Sequence, residues 1–141
     1  VVPKVDSAGA VDALVAAMER HGAPAHTRLW AMVETPYAML HAEEIAAVDG
    51  VDQLFVGPYD LSLSLGTTVQ ALLDDDSETS PLTRIVQVAA AYGRTVGGFA
   101  GTPELADRFR ARGITCLAVA TDLWVTHEGA RAALGPSSDT G

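Results

Sequence analysis

The sequence predicts an α/β protein with parallel strands, a partial (βα)8 TIM barrel of about five strand–helix units. Three observations lead there. Short β-branched and apolar runs alternate with longer stretches of helical periodicity, and strands alternating with helices imply parallel pairing through right-handed crossovers. Gly, Pro or a Ser/Thr cap punctuates almost every junction. The units recur about every 28 residues over the 141-residue chain, close to the repeat of a (βα)8 barrel. A doubly wound open sheet shares the alternation, but its glycine-rich phosphate loop after the first strand is absent.

Val1 to Val5 is the first strand, and Asp6 or Ser7 caps a helix that runs to about His21 and stops at Gly22 and Pro24. A strand over Arg28 to Val33 leads through Glu34 and Thr35 to Pro36, a favoured first-turn residue, and a helix through MLHAEEIAAV. Gln53 to Val56 is the third strand. Gly57 and Pro58 then set a turn, and Asp60 precedes a short apolar helix or turn. A long connection follows, carrying DDDSE at residues 74 to 78; it lacks the glycine and spacing of a calcium loop and reads as a solvated face. Pro81 to Tyr92 is helical, and TVGGFA is a fourth strand whose glycines imply close backbone approach. Thr102 caps a helix that has Pro103 at its first position and ends at Gly113. Ile114 to Ala120 is the fifth strand, with Thr121 and Asp122 at its end and a last helix over roughly Leu123 to Leu134. The barrel part is residues 1–135; residues 136–141 form a small polar tail expected to stay disordered. Val1 opens inside a strand with no starting Met, so the reading expects the barrel's opening strands to be missing.

Glu34 and Asp60 each follow an apolar strand, at the pole where parallel α/β folds gather their ligand-binding residues. Each also has an ordinary reading: Glu34 as an acid favoured by the helix dipole, Asp60 as a helix cap. Together they suffice for a hard divalent cation, which takes one or two protein carboxylates and fills its other positions with water and substrate oxygens. Lys4 either reaches that pocket or points outward, and the sequence favours solvent.

Several classes are excluded or disfavoured. A net charge of −9 with only nine scattered Lys and Arg argues against a nucleic-acid surface. At 48% apolar residues the chain is rich enough to bury a core, yet no apolar run reaches the roughly 18 residues of a membrane span. The single cysteine, Cys116, excludes an intrachain disulfide framework and fits a cytoplasmic protein. The histidines, His21, His26, His41 and His127, show no HxH or HExxH spacing, and no GxSxG elbow supports a serine nucleophile. Asp122 faces the pocket or caps the last helix, the second being its more ordinary role.

VVPKVDS, MVETPYAMLHAEEIAAVDGVDQLFVGPYDLSLSLG and GRTVGGFAGTPELADRFRARGITCLAVATDLW resemble the HpcH/HpaI aldolase and citrate lyase β-subunit family over nearly the whole chain. The resemblance implies a (βα)8 barrel, Mg²⁺ or Mn²⁺ bound by Glu34 and Asp60, and backbone amides around Tyr59 and Asp60 that hold the carboxylate of a 2-oxo acid. It also implies a catalytic Arg and His that lie outside this chain, so no catalytic residue is assigned. GPYDLSLSLG and ATDLWVTHEGARAAL resemble the pyruvate-type aldolases, which cleave 4-hydroxy-2-oxo acids through a metal-stabilised enolate without a lysine Schiff base. PKVDS instead resembles the lyases of malyl- or citramalyl-coenzyme A type, whose HPxQ signature is absent here. A non-catalytic metal-binding fragment is the competing class. The open edges of a partial barrel imply a homo-oligomer.

Overall fold

The computed structural model describes residues 1–135, and residues 136–141, the expected polar tail, lie outside them. Four strands, β1 (Leu29–Val33), β2 (Val51–Val56), β3 (Thr95–Phe99) and β4 (Cys116–Ala118), form one sheet in the order β1-β2-β3-β4. Every neighbouring pair is parallel. Strand order that simply follows the chain is an arc of barrel; a doubly wound sheet reverses direction at a switch point.

The expected first strand is present only in part. Val1–Val5 runs beside β1, joined by a parallel bridge between Lys4 and Met32. The N–H groups of Trp30 and Met32 donate to Val1 and Pro3, and Val5 donates to Met32. Proline has no N–H, so the bond due between those contacts cannot form and the ladder is broken there. The last strand is also shorter than expected, Cys116–Ala118 instead of Ile114 to Ala120.

Eight helices cover the described residues, and short polar caps begin most of them. In α1 (Ala8–Arg20) Ser7 accepts the N–H of Ala10; in α2 (Pro36–Leu40) Thr35 accepts that of Ala38. The helix expected from Pro36 onward is divided, α2 giving way at His41 to α3 (Ala42–Ala47), where ψ opens to 15°. The tilted Tyr37 ring lies 4.4 Å from His41, a local packing that apolar periodicity does not encode. Next come α4 (Pro58–Ser64) and α5 (Val69–Asp74), the second lying where the sequence predicts a long connection. Ser80 caps α6 (Pro81–Ala91), Thr102 caps α7 (Pro103–Ala111) and Thr121 caps α8 (Asp122–Leu134). Pro at the first position of α2, α4, α6 and α7 fixes a helical φ where no N–H is needed.

Alternation along the strands divides the sheet into two faces. Leu29, Ala31 and Val33 of β1, with Leu54 and Val56 of β2 and Val96 of β3, are buried beneath the helices with Ile45, Leu82, Ile85 and Phe109. The register places Trp30 and Met32 beside Gln53 and Phe55, and Phe55 beside Gly97, on the opposite, inner face. Lys4 is bridged to Met32 and shares that face.

Candidate metal centre

Glu34 is the first residue beyond β1, and it is the buried member of the site, its side chain 9% exposed. The turn that carries it is held on both sides. Thr35 Oγ1 donates to Asp6 at 2.6 Å and accepts the N–H of Ala38 at 3.0 Å, tying the exit of β1 to the turn before α1. Ser64 Oγ donates to the Glu34 carbonyl at 3.3 Å from the end of α4.

Asp60 does not cap a helix. Gly57 is the N-cap and Asp60 lies inside the first turn of α4, projecting from the same pole as Glu34. Both carboxylates meet at Lys4: its Nζ is 2.7 Å from Glu34 Oε1 and 2.9 Å from Asp60 Oδ2. The sequence favoured an outward Lys4, and the structure corrects this. Pairing beside Met32 on the inner face aims the side chain along the sheet toward its C-terminal pole. Hydrogen bonds to Glu34 and then Asp60 hold the ammonium protonated far above the ordinary lysine range. The same contact, a hydrogen bond from Lys4 reinforced by its charge, holds the Asp60 carboxyl below its ordinary value. An ammonium so held is no nucleophile.

The geometry suits a divalent cation. Two carboxylate oxygens from different strand ends converge on one cationic atom, the Lys4 ammonium. Glycine at 57 leaves the space that Glu34 fills, since a Cβ there would fall 2.4 Å from Glu34 Oε2. Among the described residues no group of three or more His, Cys, Asp or Glu gathers as a metal site. Two carboxylates could hold a hard cation such as Mg²⁺ or Mn²⁺, which leaves its other positions to water and substrate; they do not form the closed His/Cys shell of structural zinc.

A cavity of about 260 Å³ opens over the pair, walled by Met32, Phe55, Tyr59 and Phe99. The Tyr59 and Phe99 rings are tilted against each other at 5.9 Å, and Trp30 stacks on Phe55 at 6.0 Å below. Tyr59 and Asp60 lie within the first turn of α4, where N–H groups have no intrahelical acceptor. Sequence reasoning named Glu34, Tyr59 and Asp60 but missed the aromatic wall, whose signal was the same-face register of Met32, Phe55 and Phe99. Asp122 is the first residue of α8, capped by Thr121, and the cavity lining does not include it. Cys116 is half-buried on β4.

Relatives share both sequence and fold. The family model described as HpcH/HpaI aldolase/citrate lyase matches residues 1–128. A hydroxypyruvate/pyruvate aldolase of Delftia acidovorans is 38% identical over 79% of this chain and 41% of its own length. The crystal structure of an HpcH/HpaI aldolase/citrate lyase family protein from Burkholderia cenocepacia superposes with a TM-score of 0.65 at 33% identity, covering 83% of this chain and 45% of that one. The protein CitE from Mycobacterium tuberculosis, solved in complex with magnesium and acetate, aligns at a TM-score of 0.56 and 22% identity over 82% of this chain and 50% of that one. The chain thus spans about two fifths of the curated aldolase it matches, and its sheet is part of the barrel of these neighbours. With its paired carboxylates at the strand ends and this match over residues 1–128, the chain belongs to the HpcH/HpaI aldolase/citrate lyase family.

Proposed function

We propose that the protein is a metal-dependent carbon–carbon lyase, a class II pyruvate-type aldolase that cleaves 4-hydroxy-2-oxo acids. The observation that carries this reading is the convergence of Glu34 and Asp60 on a single cationic point at the mouth of the cavity. These two carboxylates are the metal ligands for Mg²⁺ or Mn²⁺. When bound, the ion supplies Lewis-acid stabilisation of the negative charge that develops on the 2-oxo acid. The chain's own residues then do three things. Glu34 and Asp60 fix the position of the cation, and as ligands they are not the acid and base of the reaction. The backbone N–H groups of Tyr59 and Asp60 orient the substrate carboxylate, and Met32, Phe55 and Phe99 give one side of the cavity an apolar wall.

Relatives named hydroxypyruvate/pyruvate aldolase support pyruvate chemistry. A coenzyme A ester lyase is the second reading, favoured by PKVDS at Pro3–Ser7 alone. We place the enzyme in the cytoplasm as a homo-oligomer; among the described residues no helix is long and apolar enough to cross a membrane. The test is a coupled lactate dehydrogenase assay of the full-length protein with added Mn²⁺, offered 4-hydroxy-2-oxo acids or malyl- and citramalyl-coenzyme A. Metal-dependent pyruvate release from the first set is the expected result. Turnover of the coenzyme A esters alone overturns it. Calorimetric titration adds a separate check: Glu34→Gln and Asp60→Asn each abolish tight Mn²⁺ binding.

A further inference from the structure

Lys4 is the one feature of the centre that metal chemistry alone leaves unexplained. Its side chain is 67% exposed, yet it is folded inward onto both carboxylates. Glu34 is nearly sealed from water at 9% side-chain exposure, so without a cation it would stand as a buried anion facing a second anion, a costly arrangement. Lys4 neutralises that pair and keeps both oxygens aimed at one point.

An ammonium and a divalent ion cannot share that point. Mg²⁺ sits about 2.0–2.1 Å from its oxygens, within the space where Nζ now lies 2.7 and 2.9 Å from Glu34 and Asp60. Like charges that close repel strongly, even through a water-like dielectric. The lysine stem is flexible and mostly in water, so its head leaves the carboxylates without unfolding anything.

We propose that Lys4 is a tethered counter-ion of the metal centre: it neutralises Glu34 and Asp60 when no metal is present, and each divalent ion must displace it to enter. Lys4 is a positioning residue that sets how tightly the site takes its ion. The inference rests on the metal-ligand reading of Glu34 and Asp60.

The test is calorimetric Mn²⁺ titration of the full-length protein and its Lys4→Met, Lys4→Gln and Lys4→Arg variants, with folding checked by circular dichroism. The neutral variants leave Glu34 and Asp60 without their counter-ion, so circular dichroism is read with and without Mn²⁺ to confirm that the fold holds. Removing the competing charge lowers the Mn²⁺ Kd by roughly tenfold or more in Lys4→Met and Lys4→Gln, while Lys4→Arg, which keeps the charge, stays near the parent. Equal or weaker binding by both neutral variants overturns the role of Lys4 and leaves the metal-ligand reading standing. No binding by any of the four proteins overturns both.

Discussion

Gly57 lies directly beneath Glu34: a Cβ at position 57 would stand 2.4 Å from Glu34 Oε2 and 2.9 Å from Glu34 Cβ. Its φ of −91° is open to any residue, so the glycine is there for space. The carboxylate can rotate away, but the Glu34 Cβ is fixed by the backbone of the turn beyond β1. Gly57→Ala should therefore push Glu34 out of line with Asp60. We expect a loss of about 1–3 kcal/mol in urea unfolding from the overpacking and Mn²⁺ affinity at least roughly tenfold weaker, as one of the two carboxylates proposed to hold the ion is misplaced. Parent-like affinity in Gly57→Ala would show that the ligand relaxes around the methyl group.

The two glycines of β3 separate cleanly. A Cβ on Gly97 would meet Gln53 Nε2 at 2.3 Å, the Cys116 carbonyl at 2.8 Å and Phe55 Cδ2 at 3.0 Å. The Cys116 carbonyl is backbone and cannot step aside. Gln53 is pinned from its other end, accepting Thr95 Oγ1 at 2.9 Å, and its buried Nε2 has no partner among the described residues. At Gly98 the nearest atoms, Val56 O at 3.4 Å and Ile114 Cγ2 at 3.5 Å, leave room for a methyl group. Gly97→Ala should cost about 1–3 kcal/mol. Gly98→Ala should be within about 0.5 kcal/mol of the parent, because relief of glycine's excess chain entropy offsets a tight fit. Matched urea curves for the two variants decide this, and equal losses would contradict the packing argument.

What was legible in the sequence is tied to local signals. Thr35-Pro36, Ser80-Pro81 and Thr102-Pro103 mark helix starts because a cap oxygen and a fixed φ act within one turn. That Glu34 and Asp60 share one pole is legible because both follow strand-like runs. Lys4 is not, since strand alternation gives its face only relative to a neighbour, and that neighbour, Met32, is set by pairing between distant segments. Pro3 hid the first strand's true extent by removing one ladder bond. The break at His41 and the helix Val69–Asp74 depend on tertiary packing that propensity does not carry.

The acid run at residues 74 to 78 supplies a pH dependence of its own. Asp74 accepts Arg108 Nη2 at 2.6 Å, and Asp75 Oδ1 accepts the Ser77 N–H at 3.1 Å. Hydrogen bonds from Ser77 hold the Asp75 carboxyl below its ordinary value of 3.8. A group depressed in the folded state adds stability above its unfolded pKa and loses it as pH falls through the lower, folded value. Asp75→Asn should thus be less stable than the parent at pH 6, and the two should converge once pH drops well below 3.8. Because the carboxylate is solvent-exposed the gap is small and shrinks with salt. Denaturation midpoints at the two pH values test it; a gap that persists in acid would assign the effect to the loop's shape.

Helix α8 offers the last test, because it has no buried residue at all. Leu123, Trp124, Val125 and Leu134 are 77%, 51%, 55% and 85% exposed, a load of apolar surface rare on a lone soluble helix. Beside it, the three residues of β4 and the Val1–Val5 segment leave parallel-sheet edges with unpaired backbone groups, and parallel sheets are ordinarily covered on both faces. Both features favour association. The 14.7 kDa chain should elute from a sizing column as an oligomer or aggregate, and Leu123→Asp with Val125→Asp should shift it toward the monomer by charging that helix. It should also fail as a catalyst on its own. Among the described residues the cation at the centre is Lys4, already engaged with both carboxylates, and the resemblance places the family's Arg and His outside this chain. Losing preorganised groups of that kind costs a factor of about 10² to 10³ or more in rate. The isolated chain should bind Mn²⁺ yet release no pyruvate above a blank; a monodisperse monomer with clear retro-aldol turnover would refute the argument.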